Sequence, residues 1–188
     1  WEEYGNLNAL NPVDNHNFGR SIDIDGVYAV ISASGTSQRV YICMNNDSKW
    51  EELGSITPSD DPGTVSFGFE VSISGDYIIV GTRDGNAAYL YQKDQNLLNW
   101  EEIAIFKPIG SKYGAYGRIV DISGKYIIIA DHKDDTYGLN HGLVYVYHYN
   151  IGNNSWLFDS YLITNISVSN TKSVSIYDNG FYALALVG

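Results

Sequence analysis

The run FGRSIDIDGVYAVISA begins at Phe18, FGFEVSISGDYIIVGT at Phe67 and YGRIVDISGKYIIIAD at Tyr116, each 49 residues after the one before. The second and third copies are identical at eight of their first fourteen positions, without a gap. Self-similarity at this period is produced by one supersecondary unit stacked on copies of itself, so it constrains the fold before any single residue is interpreted. The other landmarks keep phase. Glycines recur at Gly26, Gly75, Gly124 and Gly180, and tryptophans at Trp1, Trp50, Trp100 and Trp156. Between them lie the aromatic-rich runs RVYIC, AAYLY and LVYVY, starting at Arg39, Ala87 and Leu143.

Each unit reads as four strands. The first, as in GFEVSISG, alternates apolar and small polar residues with period two, which suits a strand packed on one side. The second, DYIIVGT or KYIIIAD, is almost continuously apolar and β-branched, as a strand covered on both faces should be. A glycine between them predicts a tight hairpin turn. The third strand carries alternating tyrosines. The fourth starts at the Trp and is the most polar, as an outer edge should be. No stretch sustains a helical period. Four antiparallel strands in about 50 residues, repeated, predict an all-β chain and the blades of a β-propeller.

The expected architecture is one propeller region over 1–188, with blades at about 8–56, 57–106 and 107–162 and an incomplete one at 163–188. With an outer strand at Trp1, that makes fifteen strands, about three and a half blades, and predicts a segment of a larger ring. Further blades would come from the same or another chain. Trp1 falls on a repeat boundary and the fourth copy breaks off at Gly188, so both ends are expected to be cut ends of a longer or processed chain.

Hydrophobic residues make up 44% of the chain and charged ones 18%, a globular balance. Net charge is −11 with only 11 Lys and Arg, which argues against a nucleic-acid or anionic-lipid partner. No apolar run reaches the roughly 20 residues of a membrane helix. Cys43 is the only cysteine and lies in an apolar strand, so it is expected in the core.

The stretch from Trp50 to Tyr91, WEELGSITPSDDPGTVSFGFEVSISGDYIIVGTRDGNAAYLY, resembles the FG-GAP family, whose repeats build the propeller of integrin α subunits and of related surface proteins. The likeness extends in phase over the whole chain. It implies a binding and adhesion module, outside the cell or at its surface, that displays loops on a rigid propeller to a protein ligand. Integrin-type repeats carry a calcium loop of the form Asp-x-Asp-x-Asp-Gly. The corresponding segments here are Asp23-Ile24-Asp25-Gly26, Ser72-Ile73-Ser74-Gly75 and Asp121-Ile122-Ser123-Gly124, too short and too poor in carboxylates for that cage. The chain is similar to the shorter, calcium-free subtype, so no metal or other cofactor is expected, and these residues are read as hairpin-turn chemistry.

Two sets of loops are expected on one face of the ring, the face that carries ligand in integrins. One joins second strand to third, the other joins outer strand to the next blade. Long loops on a rigid scaffold are where binding usually resides. The candidate ligand-binding residues are Arg83, Asp84, Tyr113, Asp131, His132, Asp134, Asp135, Tyr137 and His141, with Tyr113 and Tyr137 able to stack on sugar rings. No catalytic constellation is present: the four histidines are scattered, and there is no Gly-x-Ser-x-Gly elbow or His-Glu-x-x-His. The pairs Glu51-Glu52 and Glu101-Glu102 are read as edge protection. Sequons at Asn46, Asn153 and Asn165 are close in number to what the composition alone supplies, and mark possible N-glycosylation. The reading is therefore a non-enzymatic module for protein binding. The alternatives are a lectin-like propeller for glycans and a non-catalytic appendage of a larger secreted enzyme.

Overall fold

The computed structural model describes residues 15–36, 38–47, 49–60, 66–95, 99–108, 115–134, 142–162, 173–180 and 183–187. Among these there are fourteen strands and no helix. The first sheet contains β1 (Phe18–Asp25), β2 (Tyr28–Ala33), β3 (Arg39–Asn45) and β4 (Trp50–Ile56). The second contains β5 (Phe67–Ser74), β6 (Tyr77–Thr82), β7 (Ala88–Lys93) and β8 (Trp100–Phe106). The third contains β9 (Tyr116–Ser123), β10 (Tyr126–Asp131), β11 (Leu143–Asn150) and β12 (Ser155–Leu162). β13 (Val174–Asp178) and β14 (Ala183–Val187) form a two-stranded sheet. Within each sheet the strands pair antiparallel in sequence order, as a meander. The expected outer strand at Trp1 lies outside the described residues.

The cores lie between sheets. Val30, Val40 and Ile42 from one face of the first sheet pack with Val71, Ile73, Ile78, Val80, Tyr89 and Tyr91 of the second. The opposite face of the second, through Ile79, Leu90 and Phe106, packs on Tyr116, Val120, Ile122, Ile127, Ile129 and Tyr145 of the third. The third in turn covers Ile176 with Ile128, Val144 and Val146. The second strand of each blade therefore sends adjacent residues into two different cores: Val30 and Ile31, Ile78 and Ile79, Ile127 and Ile128 are all fully buried. That placement explains why these strands are continuously apolar rather than alternating.

The inner strands stack side by side, β1 against β5, β5 against β9 and β9 against β13. Each Phe-Gly or Tyr-Gly pair sits in a break in the inner-strand register. Gly117, at φ +85°, is close-packed as well as left-handed: a Cβ there would lie 2.1 Å from the Ala87 carbonyl oxygen of the preceding blade. Phe67 and Tyr116 are fully buried, stacking edge-on against Tyr89 and Tyr145 of their own blades at 5.4 and 4.9 Å.

Two features depart from expectation. The turn between β13 and β14 is longer than the two-residue turns of the other blades. Ile176, rather than a residue fixed by Gly180, occupies the buried position of Ile73 and Ile122. The outer edges carry a further device beside their acidic pairs. Each outer strand bulges at the same place, opposite Ile42/Cys43, Leu90/Tyr91 and Val146/Tyr147. A bulge twists an edge out of register for further pairing. Glu102 is turned inward to other work, described below.

Candidate functional site

Antiparallel order puts the start of the inner strand, the second-to-third loop and the outgoing connection of every blade at one end of the stack. The hairpins at Gly26, Gly75 and Gly124 and the third-to-fourth turns lie at the other. Two sequon residues, Asn46 and Asn153, belong to that second end. The third, Asn165, lies outside the described residues, as do Tyr113, Asp135, Tyr137 and His141.

The segments compared above with a calcium loop have a structural role. The outward N–H groups of an inner strand have no sheet partner. Here short side chains of the preceding blade accept them. Ser21, Asp23 and Asp25 accept from the amides of Val71 (3.1 Å), Ile73 (2.8 Å) and Gly75 (2.6 Å). Ser72 and Ser74 accept from Ile122 (3.4 Å) and Gly124 (3.0 Å). Asp121 and Ser123 accept from Ile176 (2.8 Å) and Asp178 (3.0 Å). The hub is thus stitched blade to blade by side chains at a 49-residue repeat. The sequence signal was available, as short acceptors at alternate positions in phase, but it was read as turn chemistry. Among the described residues no three of His, Cys, Asp and Glu converge as a metal-binding group.

The loop end is pinned by hydroxyls and carboxylates. Tyr89 donates to Asp60 at 2.7 Å, and Tyr91 donates to the Thr57 carbonyl at 2.9 Å. Glu102 accepts from the Ser59 amide (2.9 Å) and hydroxyl (2.6 Å). The third-strand tyrosines therefore do more than pack: burial, and then acidic neighbours (Asp60 and Glu102 for Tyr89 and Tyr91, Asp134 and Asp131 for Tyr145), raise their phenols well above the ordinary value.

The sequence-derived candidates divide by burial. Arg83 and Asp84 are exposed and paired at 3.4 Å, a surface ion pair of little energetic weight. Asp131 and Asp134 are buried at 0% and 3% exposure and hold their own loop. Asp131 accepts from the Lys133 amide, and Asp134 accepts from the Tyr145 hydroxyl. Their carboxylates are thus committed inside the fold rather than offered at its surface. His132 is buried too. Burial lowers its pKa first, the Arg118 and Lys133 charges lower it further, and the nearby Ala115 backbone opposes them. Its neutral Nε2 accepts from the Arg118 guanidinium at 3.3 Å.

Arg118 leads to a grouping that sequence reading missed. Arg20, Phe69 and Arg118 occupy one repeat position, the residue after the Phe-Gly or Tyr-Gly pair, in three successive blades. Both guanidiniums lie over the Phe69 ring, Arg20 at 4.0 Å and Arg118 at 5.1 Å from its centroid. The signal was present as a basic–aromatic–basic set at the 49-residue period. Below it the hub groove is lined by Ser21, Asp23, Glu70, Ser72, Asp121 and Val174. Glu70 has its carboxyl raised chiefly by burial and also by Asp121, with Arg20 opposing.

A family model described as FG-GAP repeat matches residues 50–92. That segment is an FG-GAP repeat. It spans β4 to β7, from the outer strand of one blade to the third strand of the next, so the FG-GAP sequence unit is offset from the blade by one strand. No curated protein matches the chain. Among solved structures, Sqt1 of Saccharomyces cerevisiae is similar at TM-score 0.59 and 7% identity, over 87% of this chain and 39% of that one. A proposed 6-phosphogluconolactonase from Bacteroides uniformis is similar at TM-score 0.58 and 16% identity, over 88% and 46%. A protein from Lactobacillus plantarum is similar at TM-score 0.53 and 14% identity, over 74% and 39%. At such identities the likeness concerns the fold alone. The chain spans less than half the length of each of these structures.

Proposed function

We propose that this chain is a non-catalytic binding and adhesion module that works outside the cell or at its surface and presents the loop end of its blades to a protein ligand. The observation that carries the reading is hydrogen-bonded anchoring. Side-chain stitches join the blades at the hub, and the Tyr89 and Tyr91 hydroxyls tie the outgoing connection at Asp60 and Thr57 at the loop end. A preorganised surface loses little entropy on binding.

The same proposal makes the chain one arc of a ring completed by further blades. Ile22 and Ile24 are each 57% exposed, whereas their repeat equivalents Val71, Ile73, Val120 and Ile122, covered by a preceding blade, are at 3–4%. An apolar face of that kind is built to be covered.

The test is a display of the chain against arrays of extracellular protein domains and of glycans, with turnover assays run alongside. Saturable binding to a protein, lost on Arg83→Ala/Asp84→Ala or Asp60→Ala and kept on Asp47→Ala at the opposite end, is the expected result. Binding to sugars alone, or loss only on changes at the hairpin end, would refute it.

A further inference from the structure

We propose that Arg20, Phe69 and Arg118 form a carboxylate-binding site at the mouth of the hub. This deepens the reading above by naming the chemistry its ligand offers.

The chain has few cations and a net charge of −11, yet three successive blades place two guanidiniums over one aromatic ring. The two charges lie within roughly 9 Å of each other, about one Debye length at physiological salt, so solvent screens their repulsion only in part. Among the described residues no carboxylate forms an ion pair with either. Arg118 uses one donor on His132, a neutral group that cannot compensate its charge. Glu70 is the acid nearest in effect to Arg20, and its burial works against its ionised form. Asp23 and Asp121 are occupied below with the amides of Ile73 and Ile176.

A guanidinium stacked on a ring keeps its in-plane N–H edge free, and that edge matches the two oxygens of a carboxylate. Phe69 lies under both guanidiniums without competing for those donors. The site lies at the end of the stack that carries the loops, so an acidic side chain of a docked protein would reach it.

The probes are an acetylated, amidated Gly-Glu-Asp-Gly peptide, its Gly-Gln-Asn-Gly counterpart, citrate and inorganic phosphate, titrated by calorimetry into the full chain. The acidic peptide is expected to bind, with affinity falling at least tenfold in Arg20→Ala and in Arg118→Ala. Arg118→Lys should fall by an intermediate factor, because a point charge lacks the fork. The charge control Lys49→Gln, at the opposite end, should leave binding unchanged, and thermal melts confirm that each variant folds. Citrate binding that needs the same arginines would identify a free carboxylate as a sufficient ligand. Equal binding of the amide peptide, no loss in either arginine variant, or binding of phosphate but neither carboxylate probe would overturn the assignment. A protein ligand that ignores Arg20 and Arg118 yet needs Arg83 would sink this site and leave the proposed function standing.

Discussion

The glycines of the Phe-Gly and Tyr-Gly pairs separate two costs that are usually confounded. Gly19 and Gly117 occupy the same repeat position with nearly the same backbone, φ +82° and +85°. They differ in what surrounds them. A Cβ on Gly19 meets nothing within 4 Å, whereas one on Gly117 lies 2.1 Å from the Ala87 oxygen. That oxygen is held in place, because it accepts the Thr82 hydroxyl at 2.8 Å inside the core. Gly19→Ala should therefore cost only the left-handed backbone term, about 1–2 kcal/mol. Gly117→Ala adds an overpacking term of about 1–3 kcal/mol. For a domain of this size one kcal/mol moves Tm by about 2–4 °C, so the losses are roughly 2–8 °C and 4–20 °C. Gly68 lies between, its Cβ meeting Ser32 and Val40 side-chain atoms at 3.3 Å. Calorimetric melts of the three alanine variants should rank Gly19, Gly68, Gly117 in increasing damage. Equal losses at Gly19 and Gly117 would show that blade-to-blade approach does not select this glycine.

The neighbouring acids of the outer strand should behave differently: Glu102→Ala loses about 1–2 kcal/mol with its bonds to Ser59, while the exposed Glu101→Ala stays within about 0.5, as urea denaturation would show. Ile73→Ala should cost about 2–5 kcal/mol and its exposed equivalent Ile24→Ala within about 0.5, and equal effects would contradict the open face. Burial, then Glu52, pushes the Cys43 thiol up to about 11 from 9.0. The folded state thus favours the protonated form, so the associated stability is complete below pH 9 and lost as pH rises through about 11. Cys43→Ala should flatten the stability profile in that window, and native Cys43 should resist Ellman's reagent at pH 8 until the chain unfolds.

The blades were legible because two strong periods coincide, the strand alternation and the 49-residue repeat. Val71 and Ile73 are buried because a neighbouring sheet covers them, which the alternation already requires. What escaped was contact between copies. Asp131 and Asp134 read as an acidic surface loop, and only the fold shows them buried at its base. Arg20 and Arg118 are 98 residues apart in sequence, and nothing local says that a phenylalanine halfway between them joins their guanidiniums.

The hub carries a final consequence of contact between copies. Ser72 stands between Asp23 and Asp121, its hydroxyl oxygen 2.9 and 2.8 Å from one carboxylate oxygen of each. One hydroxyl proton serves only one of them at a time, so the site already holds as much negative charge as it can pair. The repeat would nevertheless suggest Asp at position 72, since both neighbouring copies have it. The structure gives the opposite sign. Ser72→Asp would keep an acceptor for the Ile122 amide but bring a third carboxylate between two others. At about 4 Å and an effective dielectric constant of 20, each such repulsion is bounded by roughly 4 kcal/mol. Water in the half-open groove reduces it, and coupling of about 0.5–3 kcal/mol is the expected range. Ser72→Asp should therefore destabilise, and adding Asp121→Ser should restore part of the loss by returning the site to two carboxylates. A double-mutant cycle by urea denaturation measures it. Strict additivity would mean that the alternation Asp, Ser, Asp around the hub is not held by charge.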